Sequence, residues 1–125
     1  MPPSIDPCPC GSASGYDICC GRFHAGALAP TAEALMRSRY TAYVMARTDY
    51  LLATWHPTTR PNDLQIDPAV QWLGLDVRRH VAADDDATVE FVARSKLGGR
   101  AHRLHETSRF VRETGRWYYV EGEMR

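Results

Sequence analysis

The sequence predicts an α+β fold, with helices first and an antiparallel sheet after them. In the first half of the chain apolar residues recur at helical spacing, and beyond Pro68 they alternate with polar residues as in a half-buried strand. A run of helices followed by a run of strands places the helices on one face of the sheet. The four cysteines all precede these elements, in a turn-rich segment with few large apolar residues.

Two helices are predicted. The first spans residues 31–47, with Thr31 as its N-cap, because Ser, Thr, Asp and Asn accept hydrogen bonds from the first free backbone amides. Its apolar positions are Leu35, Met36, Tyr40, Tyr43 and Val44. A short helix follows over residues 49–55 and ends before Pro57, because proline disfavours the helical conformation of the residue before it. Residues 58–68 are expected to form a polar loop.

Four strands follow, joined by tight turns. Their predicted ranges are residues 72–77, 87–94, 102–112 and 117–120. Gly98-Gly99 and Thr114-Gly115 supply two of the turns. The run of aspartates at residues 84–86 is interpreted as a solvated hairpin tip and not as a cation site, because three consecutive carboxylates cannot all face one ion.

Length and charge exclude several classes of protein. The chain has 125 residues, and 15 basic and 15 acidic side chains cancel. This balance does not favour nucleic-acid binding, which usually requires a basic excess. The sequence has neither an apolar run of about 20 residues nor the start of a signal peptide, so we expect a cytoplasmic protein without membrane insertion.

The spacing of the cysteines predicts a metal site. Cys8 and Cys10 are followed, after eight residues, by Cys19 and Cys20, and four thiolates complete the coordination shell of a structural zinc ion. Two disulfides and free thiols are the alternatives, and a reducing cytosol disfavours the disulfides. His24 is expected to support the ligands without being one of them.

The cysteine segment resembles the SEC-C motif, a zinc-binding module found at the C-terminus of the SecA translocation motor. The matching residues are Cys8-Pro9-Cys10-Gly11-Ser12, Tyr16 and Cys19-Cys20. Four further runs resemble the YchJ family: RSRYTAY, DYLLATWHP, HETSRF and GRWYYVEG. This resemblance implies a SEC-C segment over residues 1–28 and a nuclear-transport-factor-2-like (NTF2-like), cystatin-like cone over residues 29–125, in which a curved sheet packs on helices. It implies no particular activity.

A cone of this kind offers a candidate pocket. On the long strand, period 2 places Glu106 and Ser108 on the same face as Leu104 and Phe110, and this face is expected to meet the helices. A carboxylate on this face needs a hydrogen-bonding or charged partner, which we expect from residues 37–56. The pocket candidates are Tyr40, Tyr43, Trp55, His56, His102, Glu106 and Ser108. The alternative is that Glu106 is a satisfied core carboxylate and that the tryptophans are core.

The sequence leaves two functions open and does not decide whether the chain is an enzyme. The first is a zinc-stabilised adaptor that binds a protein partner, in the translation or export machinery that other SEC-C proteins approach. The second is a cone that binds or transforms a small molecule, using Glu106 with His56 or a tyrosine. A row of Arg103, His105 and Arg109 on the opposite strand face suggests nucleic acid as a partner, which the zero net charge does not favour.

Overall fold

The computed structural model describes residues 7–125, and these form helices packed against one four-stranded antiparallel sheet. A 3₁₀ turn (Tyr16–Ile18) leads into helices α1 (Cys20–His24), α2 (Ala32–Val44) and α3 (Thr48–Ala53). The strands are β1 (Gln71–Ala83), β2 (Asp86–Leu97), β3 (Arg100–Glu113) and β4 (Arg116–Met124), and they lie side by side in chain order. None of the described helices is long and apolar enough to cross a membrane.

The predicted helices are confirmed, but they are shorter than expected. Thr31 Oγ1 accepts a hydrogen bond from the Ala34 amide at 3.0 Å, which confirms the N-cap. Helix α2 ends at Val44 instead of residue 47, because Ala46 adopts a positive φ of 56° that cannot continue the helix. Helix α3 likewise ends at Ala53, before Trp55.

The strands extend beyond their predicted ends, because backbone pairing continues through exposed residues at the strand ends. At the β3–β4 turn Thr114 and Gly115 both have positive φ, the geometry that matches the twist of a two-residue hairpin. The aspartate run is a hairpin tip as predicted: Asp85 accepts a 2.9 Å hydrogen bond from Arg112 Nε, and the whole tip is exposed.

Three bulges accompany the curvature of the sheet. Leu73 and Arg78 are extra residues in β1 opposite β2, and Val120 is an extra residue in β4 opposite β3. A bulge bends its strand and increases the local twist. Leu73 is 53% exposed at its bulge. The concave face of the curved sheet is covered by α2, which contacts β1, β2 and β4.

The cysteine segment belongs to the same hydrophobic core as the sheet. Cys8, Cys10 and Cys20 are buried in one cluster with Leu35 and Met36 of α2. That cluster continues to sheet residues such as Val89, Phe110 and Trp117. The cysteine segment therefore packs against α2 as part of the main hydrophobic core.

Candidate metal centre and cavity

The four cysteine sulfurs form a compact cluster. All four Sγ atoms lie within 4.8 Å of one another, and those of Cys10 and Cys19 are 3.6 Å apart. Zinc–sulfur bonds of about 2.3 Å in a tetrahedron place the sulfurs about 3.8 Å apart. A disulfide requires about 2.05 Å, and all four cysteines are free. The cluster therefore has the donors and dimensions to bind a metal ion, and the disulfide alternative is not observed.

Two short turns bring the cysteine pairs together. The Cys8 amide donates to Ser14 O at 2.8 Å, and the Gly11 amide donates to Cys8 O at 3.1 Å, which closes the loop that carries the first pair. Gly11 has a φ of 84°, in the region that favours glycine. Cys19 and Cys20 lie at the start of α1, directly after the 3₁₀ turn.

Helix α2 supports the cluster from the other side. The hydroxyl of Thr41, a buried residue, donates to Cys20 Sγ at 3.2 Å and lies 3.7 Å from Cys8 Sγ. Arg37 Nη1 donates to the Cys10 carbonyl at 2.9 Å. Hydrogen bonds to thiolates and their backbone orient the ligands of a metal centre.

His24 connects the helices and is not a member of the sulfur cluster. One ring nitrogen lies 2.7 Å from the Tyr16 hydroxyl, and the other lies 2.8 Å from the Ser38 carbonyl oxygen. Burial lowers the pKa of His24, which favours the neutral ring. Both nitrogens are thus engaged in joining the cysteine segment to α2.

The contact between Cys10 and Cys20 shifts the pKa values of the two thiols in opposite directions. Hydrogen bonding from Cys20, together with Ser12, lowers the pKa of Cys10 to about 4. The same hydrogen bond with Cys10 and, to a smaller extent, burial raise the pKa of Cys20. A bound cation would stabilise several thiolates at once.

A cavity of about 290 Å³ lies between α2 and the concave face of the sheet. Its walls are mainly aromatic and aliphatic, with one arginine, one glutamate and one serine. The lining residues are Met36, Arg39, Tyr40, Tyr43, Trp72, Phe91, Ala93, Leu104, Glu106, Ser108, Phe110 and Tyr119. Four of the pocket candidates are among them: Tyr40, Tyr43, Glu106 and Ser108.

The other three candidates lie elsewhere. Trp55 packs edge-on against Tyr119, with ring centroids 5.0 Å apart, and does not line the cavity. His56 lies beyond α3 and is 2.9 Å from a Glu113 carboxylate oxygen. His102 is exposed near the β2–β3 turn, past the end of the cavity. The expected convergence of both histidines on the pocket was therefore wrong.

Glu106 points to the cavity but has a different partner from the one predicted. Ser108 Oγ donates to Glu106 Oε2 at 2.5 Å, and no described group from residues 37–56 is hydrogen-bonded to it. The prediction of a partner on the helices was wrong because Ser108 stands two residues away on the same strand face. The carboxylate lies against the backbone of Gly122, where a Cβ would overlap it.

Arg39 lines the cavity but is not one of the pocket candidates; the sequence placed it only within residues 37–56, the segment expected to supply a partner for Glu106. Its Nη1 donates to Leu51 O at 2.8 Å and to Thr54 Oγ1 at 2.6 Å. The guanidinium also lies over the rings of Trp55 and Tyr119. Burial lowers the pKa of Arg39 to about 10, so it is still a cation at neutral pH. Its spacing from Met36 and Tyr43 on α2 is the sequence signal that could have identified it.

Two tyrosines add neutral hydroxyls to the cavity. Burial, with a smaller contribution from the charge of Glu106, raises the pKa of Tyr119 to about 12. Burial likewise raises the pKa of Tyr43. Both hydroxyls therefore stay protonated at neutral pH and are able to donate hydrogen bonds.

The outer face of the sheet carries the predicted basic row, but carboxylates accompany it. His105 lies 2.7 Å from Glu90, and Arg109 lies 3.4 Å from Asp86. Such pairing reduces the attraction of this face for a polyanion. Neither pair belongs to the cavity or to the sulfur cluster.

The chain matches two family models. Residues 6–22 match the SEC-C motif, and residues 31–122 match the middle NTF2-like domain of YchJ. The UPF0225 protein of Bordetella parapertussis is 58% identical over 129 residues, covering 99% of this chain and 97% of the relative. The UPF0225 protein of Cupriavidus metallidurans is 61% identical, covering 95% of this chain and 89% of the relative.

Solved structures agree with these matches. A SEC-C motif containing protein from Rhodopseudomonas palustris, solved in solution, superimposes with a TM-score of 0.85 at 38% identity and covers 94% of this chain and 98% of its own. A crystal structure of a SEC-C motif containing protein from Psychrobacter arcticus gives a TM-score of 0.80 at 31% identity, covering 94% and 82%. The resemblance and the fold predicted from it are thereby confirmed, and the chain belongs to the YchJ family, combining a SEC-C motif with an NTF2-like domain.

Proposed function

We propose that this protein is a zinc-stabilised binding protein that holds a small molecule in the cavity of its NTF2-like domain. The observation that supports binding most directly is a cavity of about 290 Å³ that brings Arg39 and Glu106 together among aromatic walls. Ligand sites combine an apolar lining with a few polar groups in this way, and this volume is near their lower limit.

The metal in this proposal is zinc, bound by Cys8, Cys10, Cys19 and Cys20. Four thiolates favour zinc among the divalent ions, and the sulfur separations fit its tetrahedral geometry. Four protein sulfurs fill the coordination shell, so such an ion stabilises the fold and offers no open position for substrate. A reducing compartment such as the cytoplasm keeps these thiols available for the metal.

The same geometry favours binding over catalysis. Glu106 has a serine hydroxyl beside it, and the histidine that would have completed an acid–base pair, His56, is engaged with Glu113 outside the cavity. The pKa of Tyr119 is raised to about 12, which makes it a hydrogen-bond donor and a poor general base near neutral pH.

A second candidate function is docking to a protein partner, and Ile18 is the residue that favours it. This side chain lies in the 3₁₀ turn just before Cys19-Cys20 and is 68% exposed. A large apolar side chain held outward by a metal-stabilised turn is suited to insertion into a partner protein. In this version the chain is an adaptor, with the translation or export machinery as its partner.

Metal analysis tests the zinc centre. Protein purified without chelators should contain about one zinc ion per chain, because all four sulfur donors converge on one point. In Cys19→Ser the zinc content should fall well below this value, while amide exchange in β2 and β3 stays slow. A wild-type content far below one equivalent would contradict the proposal.

Thr41 gives a test of how α2 supports the metal. Thr41→Val removes the hydroxyl that donates to Cys20 Sγ and should weaken zinc binding by about 10-fold, whereas Thr41→Ser keeps the donor and should bind zinc nearly as wild type. Competition with a chromophoric chelator measures both affinities. Equal affinities for the two variants would show that the hydroxyl does not support the thiolates.

An apolar probe tests whether the cavity is accessible. Benzene added to the buffer should shift the methyl resonances of Met36 and Leu104, which line the cavity, in ¹³C-resolved NMR spectra. The methyls of Met124 and Leu28 are exposed elsewhere and serve as matched controls. Equal shifts at all four residues, or none, would argue against the binding function.

The adaptor version predicts a loss of partner upon changing one exposed side chain. Immobilised wild-type protein should retain ribosomal or secretory components from a lysate, and Ile18→Ser should release them without loss of zinc. Val81→Ser is the control, because Val81 is also an exposed apolar residue, at 44%, and lies on β1. If the wild-type protein retains neither ribosomal nor secretory components, the adaptor function is wrong.

A further inference from the structure

We propose that the cavity selects a compact, net-neutral ligand that carries both a hydrogen-bond acceptor and an N–H donor on a flat apolar body. An aromatic amide is the simplest molecule of this class. The inference rests on the proposed binding function and adds the chemistry of the ligand, which follows from Arg39, Glu106 and the rings around them.

Arg39 has hydrogen-bond donors that are free to bind a ligand. The residue is only 5% exposed, and its Nη1 is used by Leu51 O and Thr54 Oγ1. Within residues 7–125, Nε and Nη2 have no hydrogen-bond acceptor, although the side chain lines the cavity. Neither nitrogen is among the described buried side-chain atoms that lack a hydrogen-bond partner, so both are accessible to water or to a ligand in the cavity. A carbonyl oxygen in the cavity would supply the missing acceptor.

Glu106 requires a donor. Its carboxylate accepts from Ser108 through one oxygen, and among the described residues no Lys, Arg or His forms an ion pair with it. Because Gly122 has no Cβ, the Glu106 carboxylate packs directly against the backbone of β4, where it lines the cavity. An N–H group of the ligand would occupy the remaining oxygen.

The two charges together select against a charged ligand. Among the described residues that line the cavity, Arg39 is the one cation and Glu106 the one anion. Burial raises the pKa of Tyr40, Tyr43 and Tyr119, which keeps them neutral. A cationic ligand would be attracted by Glu106 but repelled by Arg39. An anionic ligand would be attracted by Arg39 but repelled by Glu106. In a site of low polarity either mismatch is penalised more than it is in water.

The walls favour a flat ligand. Six aromatic rings face the cavity, from Tyr40, Tyr43, Trp72, Phe91, Phe110 and Tyr119. Aromatic rings pair with one another edge-to-face or by offset stacking, which favours a planar body. A volume of about 290 Å³ admits one substituted ring and excludes a large ligand.

Three nearly isosteric probes test the proposal: benzamidine, benzamide and benzoate, which carry charges of +1, 0 and −1 on the same ring. Dissociation constants are measured on the full chain from the methyl shifts of Met36 and Leu104. Benzamide should bind at least about fivefold more tightly than either charged probe, because only the neutral probe satisfies Arg39 and Glu106 without meeting a like charge.

Glu106→Gln supplies the matched change of charge. The cavity then keeps only the Arg39 cation, so benzoate should gain at least about fivefold in affinity while benzamidine loses affinity. Glu123→Gln, on the exposed end of β4, removes the same charge elsewhere and should leave the order of the probes unchanged. Slow amide exchange in β3 checks that each variant is folded.

Three results would overturn the inference. If benzamidine or benzoate binds the wild-type protein more tightly than benzamide does, the cavity is a site for a charged ligand. If benzene shifts the cavity methyls and none of the three probes does, the ligand class is wrong while the binding function stands. If benzene also fails, the proposed function itself fails, and these outcomes are therefore distinguishable.

Discussion

Helix α2 is the element on which both parts of the molecule depend, because it is packed on two sides. Towards the N-terminal segment it presents Arg37 and Thr41, which hydrogen-bond to the cysteine loop and to a thiol. Towards the sheet it presents Arg39 and Tyr43, which line the cavity. A helix of 13 residues is barely stable alone, so these two sets of contacts determine where it lies.

Periodicity in the sequence predicted the elements and the inward face of β3, and it did so for a physical reason. Alternation along residues 102–110 reports which side chains share a face, and that face is indeed turned to α2. Periodicity does not report how far along a strand the cavity extends. His102 lies on the inward face of β3 but beyond the end of the cavity. His56 contacts Glu113 outside the cavity.

The role of Arg39 was harder to predict, because an arginine in a helix is normally a surface residue. Its burial arises from residues far along the chain: Thr54 and Leu51 accept its hydrogen bonds, and Tyr119 of β4 covers its guanidinium. The spacing from Met36 and Tyr43 indicates which face of α2 carries residue 39, but it does not report these distant contacts. The bulges that curve the sheet, at Leu73, Arg78 and Val120, are likewise products of strand pairing and have no signature in a single sequence.

The proposed metal ion and the cavity are linked through the stability of a small domain. A cavity removes contacts that a packed core would have made, and a small domain has little surplus burial to offset the loss. Met36 lines the cavity and at the same time belongs to the cluster that contains Cys8, Cys10 and Cys20. A metal ion that fixes those cysteines would therefore also support the helix that forms one wall of the cavity, and its binding free energy would offset the contacts that the cavity removes.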